Sequence, residues 1–561
     1  MFFRLVSCFI IFLSNFNLII SSSQPEVTLE QGILRGLYTR TFSNREIASF
    51  KGIPYAKPPV GKHRFKEPIP ASPWLGVYNA TKEPPSCIQL DLFFTNSIQG
   101  TEDCLYINVY TPQIPDGKTT EPKLLDVLAF VHGGAFFGGA SSYHGPDILL
   151  ERDIVLVTFN YRLGPLGFLS TEDRVVPGNN GLKDQVLALK WIQKNIAAFG
   201  GNPNSVTLSG VSAGGASCHY HLLSPLSKGL FHKALCISGV ALNPWTVAEN
   251  LKERTMVIAT DLGCPTNDSR VMVKCLRNRP AEHIIALTKK FLYWGRMFPL
   301  AVFAPVIELP SATAFISDTP ANIIKNKLGS DVPTLLSFAL DEGLCGGGDI
   351  LTTPDMFADM QNRWDELLPH ILDYNYTAPA EKRLEISQKI QSKYKIEDTP
   401  EGRKNLVKMI GDRMFVSGIS KISKLSASAY TSPLYLYRFS YRGKHSSMDF
   451  LKKTKEDLGV SHGDEALYTF GFSNINFMET ESDSEMSKQM LDVFVSFLRN
   501  GSLGENWEPV KQHLPKIAFT DIKGPNNFQL TEVEELGEES FWDSLGFDEN
   551  MKVPAYHHDE F

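Results

Sequence analysis

The stretch Ser205-Val206-Thr207-Leu208-Ser209-Gly210-Val211-Ser212-Ala213-Gly214-Gly215-Ala216-Ser217 decides the fold of this chain, because it reads as a β-strand, a sharp turn centred on Ser212 and the start of a helix. Gly210 and Gly214 leave room in a turn so tight that side chains two residues before and after the serine would collide. The helix that follows points its N–H groups and the positive end of its dipole at the same place, where an anion would be stabilised. This is the layout of a nucleophile elbow, although G-x-S-x-G alone is expected by chance about 0.2 times in a chain of this length.

The surrounding sequence predicts an α/β architecture. Continuous apolar runs, which suit strands covered on both faces, occur at 127–131, 154–159, 206–208, 332–338 and 434–439. Apolar residues also recur at helical spacing from Leu182 to Phe199, and Gly200-Gly201-Asn202-Pro203 stops this helix. The stretch 345–430 is predicted to be mostly helical, as a lid or side lobe, and 443–457 to be a charged surface loop.

The composition is that of a globular protein with a large core and many loops, since 43% of the 561 residues are hydrophobic and the chain has 42 glycines and 34 prolines. The formal net charge of -7 and the short basic stretches exclude nucleic acid as a partner, because phosphates require clustered Lys and Arg. No repeat or linker divides the chain, so residues 24–550 are predicted to form a single domain.

Both ends of the chain carry signals for the secretory pathway. Residues 1–23 have one early positive charge, an apolar run and then small residues, which predicts a secretory signal peptide; the alternative is an uncleaved membrane anchor. No later segment has 18 uninterrupted apolar residues, so no stable membrane span is expected after cleavage. The tail 551–561 ends in His558-Asp559-Glu560-Phe561, which resembles the HDEL retrieval signal with Phe in place of Leu. We therefore expect the endoplasmic reticulum lumen, with a retrieval receptor as partner, or secretion.

The cysteines and glycosylation motifs fit an oxidising compartment. Cys87 with Cys104, and Cys264 with Cys275, would each close a short loop, although spacing alone does not fix the pairing. The apolar surroundings of Cys218, Cys236 and Cys345 predict buried thiols outside any disulfide. Acceptor motifs for N-glycosylation occur at Asn79, Asn267, Asn375 and Asn500.

A serine at an elbow needs a base, itself oriented by an acid, and in this architecture the chain order is serine, acid, histidine. Asp341 and Glu342 follow the predicted strand at 332–338, at the strand end where active sites of open α/β sheets gather. His462 follows the strand at 434–439 in a loop bracketed by glycines. The order is correct, but the residues alone do not choose between Asp341 and Glu342.

An oxyanion-binding loop is predicted after the strand at 127–131, where the sequence reads His132-Gly133-Gly134-Ala135-Phe136. The backbone N–H groups of Gly134, Ala135 and Ala213 would together form a three-donor oxyanion hole. An ordinary glycine-rich turn also explains these glycines, but not their position in a chain that has an elbow.

Taken together, the motifs resemble the type-B carboxylesterases, which include the cholinesterases, over nearly the whole mature chain. Besides the elbow and the 132–136 loop, the resemblance rests on Phe50-Lys51-Gly52-Ile53-Pro54-Tyr55-Ala56, Glu102-Asp103-Cys104-Leu105-Tyr106-Ile107-Asn108-Val109, Asn160-Tyr161-Arg162-Leu163-Gly164, Gly178-Asn179-Asn180-Gly181-Leu182-Lys183-Asp184-Gln185 and His462-Gly463-Asp464-Glu465.

The resemblance implies an α/β-hydrolase fold, in which a large and mostly parallel central sheet is flanked by helices. It implies Ser212 as nucleophile, Glu342 as the acid and His462 as general base, with no cofactor or metal ion. It also supports both disulfides and suggests two ion pairs, Arg64 with Glu102 and Arg162 with Asp184.

Two departures from the family pattern bear on the substrate. The residue before the nucleophile is usually Glu in this family and is Val211 here, which removes a buried negative charge beside the histidine. Cholinesterases place a tryptophan inside the first disulfide loop to hold a quaternary ammonium, whereas Phe93 and Phe94 are the aromatic residues between Cys87 and Cys104. Choline esters are therefore not expected as substrates.

The leading hypothesis is a secretory-pathway serine carboxylesterase that acts on a small-molecule ester substrate, hydrolysing uncharged carboxylic esters of short to medium acyl chains through an acyl-enzyme on Ser212. One alternative is a catalytically silent, cholinesterase-like adhesion or binding protein, and another is a lipase or hormone esterase of the same fold. Tyr293, Trp294, Phe298 and Phe303 are candidates for lining the substrate pocket, with packing in the core as the alternative.

Overall fold

The computed structural model describes residues 24–115, 123–451, 456–472, 475, 477–504, 507–511 and 516–549. The predicted signal peptide (1–23) and tail (551–561) lie outside the described residues. Among the helices that are described, none has the length and apolar character needed to cross a bilayer.

An 11-stranded sheet forms the centre of the molecule. In chain order its strands are β1 (Leu37–Arg40), β2 (Glu46–Pro54), β3 (Tyr106–Thr111), β4 (Leu125–Val131), β5 (Val155–Phe159), β6 (Gly201–Val211), β7 (Lys233–Ile237), β8 (Thr334–Ala339), β9 (Leu434–Phe439), β10 (Ile517–Gly524) and β11 (Asn527–Val533). Their order across the sheet is β11-β10-β9-β8-β7-β6-β4-β5-β3-β2-β1. Strands β4 to β10 run parallel, while β1, β2, β3 and β11 pair antiparallel at the two sides.

Two small sheets lie outside the central one. The first joins Glu26–Leu29, Gly32–Arg35 and Val77–Asn79, and the second joins Gln89–Asp91 with Ser97–Gln99 inside the first disulfide loop.

Helices cover both faces of the sheet, and they bury its apolar side chains in two large clusters. The α-helices are Gly164–Phe168, Asn180–Asn195, Ala213–Leu223, Leu251–Asp261, Ser269–Leu276, Ala281–Ala286, Pro320–Lys325, Leu344–Thr352, Met356–Asn362, Trp364–Ile371, Arg383–Tyr394, Pro400–Gly411, Ser417–Ala429, Ser447–Leu451, Asp464–Leu467, Glu481–Asn500 and Glu539–Ser544. A short π-helix spans Asp412–Val416. Short 3₁₀-helices span Gly61–His63, Ser141–Tyr143, Leu149–Glu151, Ile196–Phe199, Pro225–Ser227, Pro244–Thr246, Leu287–Phe291 and Ala380–Lys382.

The predicted strands and the helix before the elbow are confirmed, with shifts at their ends. The run at 206–208 belongs to a longer strand, β6, and the run at 332–338 becomes a strand only at Thr334, after a proline that has no N–H to donate. The predicted helix begins at Asn180, and its last turn, Ile196–Phe199, tightens to a 3₁₀ turn before Gly200. The region 345–430 is largely helical, as expected.

The prediction of a surface loop at 443–457 is wrong in part. Ser447–Leu451 forms a short helix in which Met448 is buried, while residues 452–455 lie outside the described residues. Because charged residues flank this apolar turn on both sides, the composition of the segment does not indicate a helix.

Both expected disulfides are present, with Cα–Cα distances of 4.9 Å for Cys87–Cys104 and 5.6 Å for Cys264–Cys275. Cys218 and Cys236 are buried as predicted. Cys345 is only half-buried, so the prediction for this thiol is wrong, because the residue faces a pocket rather than the core.

The two ion pairs that the resemblance suggests are also formed. Arg64 binds Glu102 through two hydrogen bonds of 2.7 and 2.6 Å. Arg162 binds Asp184 through Nε and Nη2 at 2.8 and 2.7 Å, and the aspartate is fully buried. Of the predicted glycosylation sites, Asn79, Asn267 and Asn500 are exposed and Asn375 is half-buried; their glycosylation stays a prediction.

Candidate active site

Ser212 occupies the turn between β6 and the helix Ala213–Leu223. Its backbone angles, φ 61° and ψ -123°, lie in a region that non-glycine residues rarely adopt. The neighbouring strand supports this conformation, since the Ser212 N–H donates a 2.8 Å hydrogen bond to the carbonyl of Ile237. The strained residue therefore stands at the carboxyl end of the sheet with a helix N-terminus directly behind it.

The two glycines of the elbow are required by close backbone contacts. A Cβ atom on Gly214 would lie 2.0 Å from the carbonyl oxygen of Val131, and one on Gly210 would lie 2.4 Å from the backbone of Gly214. The steric role expected for these glycines is confirmed.

The loop after β4 packs directly against the elbow. A Cβ atom on Gly133 would lie 2.6 Å from the Val211 carbonyl oxygen and 3.0 Å from Cβ of Ser212. Gly134 and Ala135 have positive φ angles of 114° and 50°. Their backbone N–H groups donate to no carbonyl in the part of the chain that the structure describes, and Ala213 opens a helix, where N–H groups lack intrahelical acceptors. Gly134 and Ala135 line the same pocket as Ser212, and Ala213 follows the serine directly in the chain.

Glu342 and His462 meet next to this turn. Oε2 of Glu342 lies 2.5 Å from Nδ1 of His462, and Oε1 accepts hydrogen bonds from the Ser238 hydroxyl at 2.6 Å and the Ala339 N–H at 2.7 Å. The carboxylate is 1% exposed. Since a carboxylate accepts hydrogen bonds, we assign the histidine proton to Nδ1, which leaves a lone pair on Nε2.

Asp341 contacts the backbone of the loop before His462, whereas its neighbour Glu342 contacts the imidazole. Its Oδ2 accepts a 2.9 Å hydrogen bond from the Val460 N–H, and its own N–H donates to the Val460 carbonyl at 2.9 Å. Asp341 therefore holds the loop that carries His462, whereas Glu342 contacts the imidazole itself. The geometry distinguishes two acids that the sequence left open.

The imidazole of His462 is fixed from its other side by Phe415, whose ring centroid lies 4.6 Å away. Nε2 is buried and has no hydrogen-bond partner among the described residues, and His462 and Ser212 line the same pocket. Phe415 comes from the helical region 345–430, so this region forms a wall of the site.

The pocket above Ser212 encloses about 980 Å³ of free space, including its mouth. Its wall is predominantly apolar, and among the described residues no Lys, Arg, Asp or Glu side chain lines it. The apolar lining consists mainly of Phe93, Phe94, Tyr143, Val211, Met297, Leu300, Met448, Leu451, Leu467 and Phe472.

The aromatic residues proposed from sequence for this wall do not line it. Phe298 and Phe303 are buried in the core, Trp294 is nearly so, and Tyr293 is 48% exposed. The same segment does reach the pocket, but through Met297 and Leu300. The sequence placed the segment correctly, but no local pattern shows which of its faces turns to the pocket.

Two histidines of the pocket are neutral at physiological pH. Burial lowers the pKa of both His132 and His144 to about 4. Nδ1 of each ring lies 2.9 Å from a backbone carbonyl, that of Gly133 and that of Gly471 respectively. These two histidines therefore add no positive charge to the pocket wall.

A second buried acid, Glu465, lies behind the Glu342–His462 pair. It is 0% exposed, and its Oε1 accepts a 2.8 Å hydrogen bond from the Ser337 hydroxyl. Burial, followed by the charge of Glu342, raises the pKa of Glu465 to about 7. The sequence alone indicates no role for Glu465, although this residue belongs to the His462-Gly463-Asp464-Glu465 motif.

Comparisons with known proteins identify the family of this chain. A sequence profile described as the Carboxylesterase family matches residues 23–535. Esterase FE4 of Myzus persicae is 43% identical over 524 residues, which cover 91% of this chain and 92% of that protein. Juvenile hormone esterase of Tribolium castaneum is 34% identical and covers 92% of this chain and 91% of its own.

A solved structure shows the same fold. The crystal structure of juvenile hormone esterase from Manduca sexta, with OTFP covalently attached, superposes with a TM-score of 0.81 at 29% identity, and covers 93% of this chain and 99% of that chain. The chain belongs to the carboxylesterase family, has the α/β-hydrolase fold and is a carboxylic ester hydrolase.

Proposed function

We propose that Ser212, His462 and Glu342 form the catalytic triad of this esterase. His462 Nε2 takes the proton of the Ser212 hydroxyl while Oγ attacks the ester carbonyl, and the imidazolium returns the proton to the leaving alcohol. Water then attacks the acyl-enzyme with the same base, which releases the acid and restores the serine. Glu342 orients the ring through the 2.5 Å contact to Nδ1 and stabilises its positive charge.

The backbone N–H groups of Gly134, Ala135 and Ala213 donate hydrogen bonds to the carbonyl oxygen as it becomes negatively charged. These donors are already positioned before substrate arrives, so they cost little reorganisation during the reaction. The observation that carries the proposal is the pair Glu342–His462 in the pocket that also holds Ser212 at a strained turn.

We expect the substrates to be uncharged esters. The pocket has an apolar lining, and Val211 puts an isopropyl group next to the serine, so a cationic alcohol would lose its hydration without gaining a counter-charge. A substrate with apolar acyl and alcohol groups has no charged group to dehydrate when it moves from water into the pocket.

Substitution of Ser212 by Ala tests the assignment. We expect kcat/KM for p-nitrophenyl butanoate to fall at least about 10³-fold, with the melting temperature unchanged. Ser209→Ala, which removes a buried hydroxyl from the same strand, is the matched control and should keep most of the activity. Activity of Ser212→Ala close to that of the wild type would refute the triad.

We also propose that the protein enters the secretory pathway, which the two disulfides support. The tail His558-Asp559-Glu560-Phe561 would then decide between retrieval by a receptor in the endoplasmic reticulum and secretion. The test is to express the full chain with and without its last four residues and to measure the esterase in the medium. If the tail causes retrieval, its removal should increase the amount of secreted esterase.

A hormone ester is a second candidate substrate. Two similar proteins bear the name juvenile hormone esterase, and one of them gives the structural match described above. If such an ester is the substrate, its kcat/KM should exceed that of p-nitrophenyl butanoate. A value far below that of the generic ester would reject this candidate.

A further inference from the structure

A second cavity, which we call the side cavity, adjoins the active-site pocket. It encloses about 330 Å³ of free space including its opening. Most of its lining is shared with the active-site pocket, namely Phe93, Met297, Cys345, Met448 and Leu451. The two spaces are therefore separated by one layer of side chains that face both.

This shared wall is rich in sulfur. Met297 and Met448 are 5% and 4% exposed, and the Cys345 side chain lies between the two spaces. An unbranched thioether side chain has three rotatable bonds and adapts to irregular gaps. Rotamer changes of the two methionines can therefore join the pocket and the side cavity without movement of the backbone.

A break in a helix contributes two residues to the lining of the side cavity. The helix Leu344–Thr352 is interrupted at Cys345 and Gly346, and Gly346 has a φ angle of 89°. A Cβ atom on Gly346 would meet the ring of Phe298 at 3.1 Å, in addition to the strain of a positive φ angle. Glycine therefore permits the helix break that brings Cys345 and Gly346 into the lining of the side cavity.

Among the described residues, one charged side chain, that of Arg296, lines the side cavity, and its guanidinium already has hydrogen-bond partners. Arg296 donates to Asp349 at 3.1 to 3.4 Å and to the carbonyl of Leu92 at 3.3 Å. The Arg296 guanidinium is engaged in these hydrogen bonds, and the other lining residues are mainly apolar. The cavity thus suits a hydrocarbon chain rather than an anion.

We infer that the side cavity binds the end of a long, unbranched apolar chain of the ester substrate, and that Met297 and Met448 form the gate through which this chain passes. The inference rests on the proposed function, because the chain must be attached to a carbonyl held at Ser212. Short esters fill the active-site pocket alone, whereas longer chains displace the two thioether groups. Each methylene that enters the side cavity should raise kcat/KM roughly fourfold.

The test compares two series of esters on wild-type enzyme, Met297→Phe and Met448→Phe. One series, p-nitrophenyl acetate to dodecanoate, varies the acyl chain, and the other, ethyl to dodecyl acetate, varies the alcohol. We expect a wild-type preference for long chains in one series, which identifies the chain that is bound. In that series the rigid phenylalanine should lower the ratio of kcat/KM between the 12-carbon and 4-carbon esters at least tenfold.

Met256→Phe is the matched control, because Met256 is a half-buried methionine on the helix Leu251–Asp261 and lies outside both cavities. It should leave the ratio at the wild-type value. Met297→Ala and Met448→Ala make the opposite change, because they remove the gate, and they should raise the ratio at least threefold. These variants test the inference even if a phenylalanine variant does not fold.

The inference is overturned if the gate variants change the hydrolysis of all chain lengths by the same factor, or if the ratio stays within twofold of the wild-type value in both series. Titration of active serine with a fluorophosphonate normalises each preparation. Failure of the proposed function gives a different result, namely hydrolysis by Ser212→Ala close to that of the wild type.

Discussion

Oε2 of Glu342 lies 2.5 Å from Nδ1 of His462, although 120 residues separate them in the chain. The adjacent strands β8 and β9 run parallel, so the loops that follow them emerge at the same edge of the sheet. Asp341 fastens one loop to the other, and Glu342 then reaches the ring. The acid and the base are thus brought together by the order of the strands.

Substitution of Glu342 by Gln should lower kcat about 10⁴-fold, because an amide can donate to Nδ1 and favour the wrong tautomer of the histidine. Kinetics with p-nitrophenyl butanoate measure the loss. Asp341→Asn is the matched control, and we expect a loss below about tenfold because Asp341 contacts the loop and not the ring. Equal losses in the two variants would contradict the assignment of the acid.

Glu465 should make the stability of the protein depend on pH. Its pKa is raised from 4.5 to about 7, so between these values the folded state keeps a proton that the unfolded state releases. This carboxyl therefore costs no stability below pH 4.5, and its cost grows to about 3 kcal/mol as the pH rises through 7.

Glu465→Gln removes the ionisation and keeps the acceptor for Ser337. Its melting temperature should exceed that of the wild type at pH 8, and the difference should shrink toward pH 5. Glu253→Gln, at an exposed position, provides the control, with no such trend. A difference that does not vary with pH would contradict the buried titration.

Val211→Glu should create a preference for cationic esters. A carboxylate at this position would lie in the pocket beside Ser212 and His462, where it attracts a quaternary ammonium. We expect the ratio of kcat/KM for butyrylthiocholine and a neutral thioester of the same size to rise about tenfold, which corresponds to roughly 1.4 kcal/mol. Val211→Gln has the same shape without the charge and should leave the ratio unchanged; an equal rise in that variant would attribute the effect to shape.

Asp184→Asn should destabilise the protein by about 3–5 kcal/mol, because Arg162 would be left buried without a counter-charge. Chemical denaturation measures the change. Glu26→Gln breaks an ion pair with Arg35 at the surface and should cost less than about 1 kcal/mol. Similar losses for both variants would show that burial does not determine the strength of these pairs.

The parts of the site that depend on local backbone geometry could be predicted from the sequence. The elbow around Ser212 and the loop of Gly134 and Ala135 are encoded in a few consecutive residues, so the pattern is visible without a fold. The chain order of serine, acid and histidine in this architecture then predicts that an acid and a histidine follow later in the chain.

The parts that depend on the direction of a side chain could not be predicted in the same way. Asp341 and Glu342 are adjacent, and only the position of the loop before His462 distinguishes them. Cys345 and Met297 reach the pocket because of a break in a helix and a turn in a loop, which hydrophobicity does not encode.

Ser212 is proposed as the residue that forms the acyl-enzyme, and this assignment can be tested directly. Reaction of the purified enzyme with a fluorophosphonate, followed by digestion and mass spectrometry, identifies the modified residue directly. We expect one label per active enzyme, on the peptide that contains Ser212, with loss of activity in proportion to labelling. A label on another serine, or full activity after Ser212 is modified, would contradict it.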